Sequence, residues 1–181
     1  FSPRLASSSA PDSIKMKYAV FETPAGWMAF SISDRGLRRI VLPVNSADVA
    51  LYRLGLTSED TPGEFAPLIN LFQSYFKGLR VTFDIPLDYD TATSFQRRVW
   101  EATRRIPYGE TRSYRWIAEQ AGSPRGSRAA GHALGANPLP IVVPCHRVIT
   151  ADGKPGGFSG GLDMKRLLLS IEGIRLDEPE S

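Results

Sequence analysis

Three runs of β-forming residues, KYAVFET (17–23), WMAFSIS (27–33) and LRRIVLP (37–43), follow one another with only PAG and DRG between them. Parallel pairing needs a crossover of a dozen or more residues, so connections this short turn each run back on its predecessor. The chain therefore opens with an antiparallel meander. A sheet this small needs a covering layer. EFAPLINLFQSYFKG (64–78) supplies one, with Phe65, Leu68, Leu71, Phe72, Tyr75 and Phe76 at helical spacing and Gly78 as the stop. RVTFDIPL (80–87) reads as a further strand. Nothing in this half carries obvious chemistry, and its apolar residues read as core.

The second half has a different period. DYDTATS (88–94) reads as a linker ending in a helix N-cap, and FQRRVWEATRRI (95–106) buries Phe95, Val99, Trp100 and Thr103 or Ile106 before stopping at PYG. Two short helices follow. SYRWIAEQAG (113–122) has Ser113 as N-cap, Ile117, Ala118 and Ala121 facing inward, and Gly122 as its stop. SPRGSRAAGHALGANP (123–138) places Ser123 at the N-cap and Pro124 at the first helical position, and ends near Gly135. Gly126 weakens this helix by roughly 1 kcal/mol relative to Ala, which leaves Ser127 as an alternative cap. Two short helices about a tight glycine-containing turn, the second bearing arginine, form a helix-turn-helix pattern. The expected fold class is α+β: a small antiparallel-sheet N-terminal domain, then a mainly helical domain with the helix-turn-helix. The expected division is a flexible leader over 1–15, a first domain over 16–87, a linker over 88–93 and the helical, site-bearing domain over 94–181. The leader FSPRLASSSAPDSIK lacks the apolar stretch of a signal peptide, and Met16 is the expected natural start.

Charge separates the halves. Residues 1–93 carry 9 Lys/Arg and 10 Asp/Glu, a balance of −1, whereas residues 94–181 carry 13 and 9, a balance of +4. Within 94–136 there are 8 Arg against 3 Glu, an excess that suits a polyanion such as nucleic acid as well as a solvated helix face. No apolar run approaches the ~20 residues of a spanning helix, so no membrane association is expected. A single cysteine cannot form an internal disulfide, and the expected compartment is the cytoplasm, or the nucleus in a eukaryote. Cys145, His132 and His146 cannot complete a tetrahedral zinc site without a carboxylate, so neither metal nor other cofactor is expected.

That cysteine stands in NPLPIVVPCHRVIT (137–150), between Pro144 and His146. A free thiol with a pKa near 8.5 is only about 3% thiolate at neutral pH, so a useful nucleophile needs a base, and His146 is at hand. In an extended strand adjacent side chains point to opposite faces, so the two would cooperate only across a turn or through water. Pro144 makes a turn the expectation. Residue type alone favours a buried structural cysteine.

PCHRV, preceded by NPLPIVV and followed by GGFSGGLDMKRLLLSIEG, resembles the O6-alkylguanine-DNA alkyltransferases, and the likeness runs in order over residues 94–173. The resemblance implies that Cys145 accepts the alkyl group from O6 of a damaged guanine. His146 would act as base through a water, oriented by Glu172, while Asn137 braces the turn. Tyr114 would donate a proton to the leaving guanine and crowd a phosphate, and Arg128 would fill the vacated stack. The DNA face would further include Ser113, Arg125, Ala129, Gly131 and His132. The base pocket would involve Pro140, Val148, Gly156, Phe158 and Ser159. The implied partner is double-stranded DNA containing O6-alkylguanine, with O4-alkylthymine an open question; the protein would be a monomer in solution, with cooperativity on DNA also open. Two positions depart from the family pattern: Phe158 replaces a frequent tyrosine, and His132 a small residue. Rival readings are a non-enzymatic binder of alkylated DNA, a helix-turn-helix regulator that uses the cysteine as an alkylation sensor, and a cysteine hydrolase. Binders that resemble this family replace the acceptor cysteine, which is present here; a regulator leaves PCHRV unexplained; a hydrolase needs a direct Cys–His pair that adjacency disfavours.

Overall fold

The computed structural model describes residues 16–56 and 63–176; the expected leader lies outside them. Strands β1 (Lys17–Thr23), β2 (Gly26–Ser33) and β3 (Gly36–Val44) form the antiparallel meander, in the order β1-β2-β3. Helix α1 (Ala47–Leu54) follows, an element beyond those expected from the sequence. Its signals are local: the Ser46 hydroxyl accepts from Val49 N, and Gly55 closes it at φ +79°. It covers the face carrying Ala29 and Val41, and so β2 is apolar on both faces instead of alternating.

Helix α2 (Ala66–Phe76), entered through a 3-10 turn at Gly63–Phe65, covers the opposite face. Phe72 packs there between Phe21, at a centroid distance of 5.7 Å, and Phe83, at 4.8 Å. The expected strand at 80–87 is instead an extended segment with a single bridge, Leu37 to Leu87. Leu37 N donates to Pro86 O (2.8 Å) and Asp88 N to Leu37 O (2.8 Å), but Pro86 has no N–H with which to continue a ladder. The expected linker is pinned as well: buried Asp88 accepts from Ser33 Oγ and faces Arg38.

Helix α3 (Ser94–Arg104) begins at Ser94, the expected cap, and is capped one residue earlier, where Thr93 and Gln96 form a reciprocal capping box. Strand β4 (Arg112–Ser113) leads into α4 (Tyr114–Gln120), and Ser113 caps α4 as expected. Helix α5 (Ser127–Gly135) starts later than expected, and neither Ser123 nor Ser127 caps it. Gly126 N closes a turn on Ser123 O (2.8 Å), and a Cβ at Gly126 would lie 2.5 Å from Ser123 Oγ, so the glycine shapes the turn and does not weaken the helix. Trp100 Nε1 donates to Ala133 O (2.8 Å), locking α5 onto α3. Strand β5 (Val148–Ile149) pairs in parallel with β4, and α6 (Leu162–Ile171) closes the described chain. One buried apolar cluster runs through both halves, from Ala19 to Leu168. Among the described residues no helix is long and apolar enough to cross a membrane.

Candidate active site and nucleic-acid interface

The run that carries the cysteine is a buried loop. Asn137 spans it, donating from Nδ2 to Val143 O (2.9 Å) and accepting at Oδ1 from Leu139 N (2.9 Å). Inside this brace Ile141 is held at φ +76°, a left-handed conformation that costs a β-branched residue about 1–3 kcal/mol. Cys145–Arg147 then form a single 3-10 turn, which is the expected break from extended geometry. Successive side chains on such a turn diverge. Cys145, 6% exposed, lines a cavity, and His146, fully buried, points into the protein. Among the described residues no hydrogen bond joins their side chains. Burial pushes the Cys145 thiol up, against the opposing Asn137 hydrogen bond and the charge of Lys165.

Behind the thiol, Glu172 is a buried carboxylate with four donors. Oε1 accepts from Arg147 Nε (2.7 Å) and Gly109 N (3.0 Å). Oε2 accepts from Tyr75 Oη (2.7 Å) and is hydrogen-bonded to His146 Nε2. Burial alone would raise the carboxyl pKa, but the hydrogen bonds of His146 and Arg147, the Arg147 charge and the charge His146 carries once protonated overcome it and bring it down to about 2. Burial pushes His146 the other way from its partner's pull, lowering its pKa, so the pair rests as neutral imidazole and carboxylate. With Nε2–H assigned to Glu172 by this network, Nδ1 is an acceptor, buried and without a hydrogen-bond partner among the described residues.

The cavity in front of the thiol has a volume of about 650 Å³. Its walls bring together Cys145, Tyr114, Arg128, Gly131 and His132 with Phe158 and Ser159 of the loop before α6. Tyr114 Oη donates to Gly157 O (3.2 Å), and burial raises its pKa, reinforced by the neighbouring Cys145. Arg128 and His132 are exposed, one turn apart along α5, and Arg125 and Ala129 are exposed on the same stretch. Other expected site residues lie outside the walls. Ser113 spends its hydroxyl on the α4 cap, Pro140 and Val148 are buried, and Gly156 stands behind the Tyr114 ring.

Three residues given no role in the sequence reading belong to this site. Arg147 holds Glu172 and donates from Nη1 to Ile106 O (2.8 Å). Lys165 is fully buried on α6; its ammonium donates to Val148 O (2.6 Å), Gly157 O (3.2 Å) and Pro155 O, so it ties the loop to the strand after the cysteine. Burial brings its pKa down to about 8. Its signal was legible: Lys165 shares the inward stripe of Leu168, Leu169 and Glu172, at i+3, i+4 and i+7. Tyr75 gave no such signal, being one aromatic in an apolar helix stripe.

Fold and site together define a class: α+β proteins with a buried cysteine–histidine–glutamate group at the floor of a cavity edged by a helix-turn-helix pair. Residues 94–174 match the model of the 6-O-methylguanine DNA methyltransferase DNA-binding domain. The methylated-DNA–protein-cysteine methyltransferase of Mycolicibacterium paratuberculosis is 44% identical over 157 residues, covering 87% of this chain and 92% of the relative. That of Methanosarcina acetivorans is 39% identical over 158 residues, covering 87% and 99%. The crystal structure of Mycobacterium tuberculosis OGT in complex with DNA superposes with a TM-score of 0.73 at 40% identity, over 86% of this chain and 92% of that one. The chain belongs to the methylated-DNA–protein-cysteine methyltransferase family.

Proposed function

We propose that this protein repairs DNA directly, by transferring the alkyl group from O6 of guanine in duplex DNA to the sulfur of Cys145. One observation carries the reading: the sole thiol lines the cavity, and His146 is buried behind it with an Nδ1 that has no hydrogen-bond partner among the described residues. The thiol proton passes to His146 through a water, with Glu172 stabilising the imidazolium that forms. The S–C bond forms, the C–O6 bond breaks, and the electron pair leaves with the guanine. Tyr114 gives the departing base a proton and recovers one from solvent. A thioether does not hydrolyse, so each molecule acts once.

The reactive carbon of an alkylated guanine lies inside the base stack, so the nucleotide must turn out into the cavity. Arg128, at the cavity rim, takes its place in the stack. Extrusion costs a few kcal/mol, and arginine contacts to phosphates offset it. Ser113, Arg125, Ala129, Gly131 and His132 form the rest of the DNA face. Phe158, Ser159 and the backbone at Cys145 read the base. The backbone at Val148, whose carbonyl oxygen accepts from Lys165 Nζ (2.6 Å), takes part beside them. Pro140 and Gly156 act from behind, shaping the loop and seating Tyr114. The C-terminal part from residue 94 carries both contact and chemistry, and the protein works as a monomer.

Intact mass after mixing with a duplex carrying one O6-methylguanine tests the reading. The expected result is a gain of one methyl group, mapped to the Cys145 peptide, with guanine restored; Cys145→Ala takes up none yet still binds the duplex. No gain despite lesion-selective binding would make this a recognition protein instead. Transfer that survives Cys145→Ala would overturn the acceptor assignment.

A further inference from the structure

We infer that Tyr75, on α2 of the N-terminal half, is a positioning residue for the alkyl transfer, its hydroxyl clamping the Glu172 oxygen that orients His146. This rests on His146 being the base. The Tyr75 side chain is 1% exposed, and its Oη donates to Glu172 Oε2 at 2.7 Å while lying 3.3 Å from His146 Nε2. The two oxygens of Glu172 are not held alike. Oε1 is fixed by Arg147 and Gly109, which belong to the C-terminal half. Among the described residues, Oε2 is shared between the imidazole and Tyr75 alone. Without the hydroxyl, the oxygen facing the base would be held only by the base.

A second consequence is electrostatic. A carboxylate oxygen that accepts two hydrogen bonds is a weaker base than one accepting a single bond. Tyr75 therefore moderates the pull of Oε2 on the imidazole proton and keeps His146 from being charged too readily. Every other charged or titratable group around the pair stays in place when only this hydroxyl is removed: Arg147 and Cys145 on the turn, Lys165 on α6, and Tyr108 beside Tyr75. The ring has a separate, purely structural task, packing edge-on against Phe76 and Tyr108. Tyr75→Phe keeps that packing and deletes the hydroxyl, which separates the two roles.

The test uses two electrophiles. One is a duplex carrying O6-methylguanine; the other is iodoacetamide, which needs no DNA. In the second reaction the S–C bond forms, iodide leaves and the thiol proton passes to His146, as in the first. Rates are followed by intact mass from pH 5 to pH 9. For Tyr75→Phe, Cys145 alkylation by iodoacetamide should slow about tenfold, the lower end of what losing an outer partner of an oriented histidine costs. The acid limb of its pH–rate profile should move to higher pH, since the less shielded Oε2 favours the imidazolium. In a Glu172→Gln background the same substitution should change little, because Tyr75 acts through that carboxylate. An unchanged profile, or a loss that persists in the Glu172→Gln background, overturns the inference, whatever happens to the melting temperature. If iodoacetamide reports the expected shift while wild-type protein takes no methyl from DNA, Tyr75 stands and the repair reading falls. If wild-type protein is methylated and Tyr75→Phe matches it with both electrophiles, the reverse holds.

Discussion

Burial acts on Cys145 and His146 in opposite directions: it raises the thiol pKa and lowers that of the imidazole. Both therefore rest uncharged at neutral pH, and the nucleophile forms only as its proton leaves. The transfer rate should be level through neutral pH and fall only as pH drops below the ordinary histidine value of 6.5, where His146 finally protonates. A rate that instead climbs along the titration of a free thiol, near pH 8.5, would mean that Cys145 ionises without His146. A second residue-scale prediction concerns Gly156. It sits at φ +72°, and an added Cβ would lie 2.6 Å from Tyr114 Oη and 2.8 Å from a ring carbon. Gly156→Ala should therefore cost about 1–3 kcal/mol of stability and push the Tyr114 ring into the cavity. Transfer of a butyl group should then suffer more than transfer of a methyl group; equal losses would show that the ring does not move inward. The residues most legible in the sequence were those tied to the cysteine motif. Glu172 lies 26 positions from His146, and only the family resemblance linked them, because no local spacing could. Tyr75 stayed hidden for a physical reason: its ring belongs to the core, and only its final oxygen reaches the site.

Among the elements, the meander, α2 and the helical hairpin were legible because each repeats its own period over several residues. The misses fell where a local signal was overridden or was too short. Helix α1 is a two-turn element whose apolar pattern follows β3 closely, although Ser46 and Gly55 mark its ends. The extended segment at 80–87 has the composition of a strand, but Pro86 denies it a ladder. Strands β4 and β5 have two residues each, too few for any pattern, yet they fix the cysteine turn to the start of α4. Ser113 sits at that junction: it pairs with Ile149, and its hydroxyl accepts from Trp116 N at 3.0 Å. Ser113→Ala should cost about 1 kcal/mol by denaturant unfolding, the usual worth of an N-cap, and weaken DNA binding by loosening α4. Ser113→Asn, an equally good cap, should restore stability. If it does not, the hydroxyl serves something other than the helix end.

Across the whole molecule, Glu172 gathers groups that are far apart in the chain: Tyr75 from α2, Gly109 from the loop before β4, and His146 and Arg147 from the cysteine turn. Its charge therefore bears on stability as well as on chemistry. The folded carboxyl titrates at about 2, against 4.5 in the ordinary state. A group whose pKa falls on folding stabilises the fold above its unfolded value, and that contribution is lost as pH drops through the folded one. The window here runs from about pH 4.5 down to pH 2, and the full contribution is about 3 kcal/mol. Asp88, whose carboxyl is likewise held below its usual range by Ser33 and Arg38 against the penalty of burial, adds a term of the same sign. Glu172→Gln removes the first term and leaves that of Asp88, and His146→Gln in both proteins takes the imidazole, which Glu172 pulls upward, out of the comparison. Denaturant unfolding at pH 5 and pH 3 should then show the protein with Glu172 losing more stability than the Glu172→Gln protein over that interval. Equal losses would mean that Glu172 is not held as a carboxylate at all. The imidazole would then lack its fixed partner, and the resting state assigned to Cys145 and His146 would fail with it.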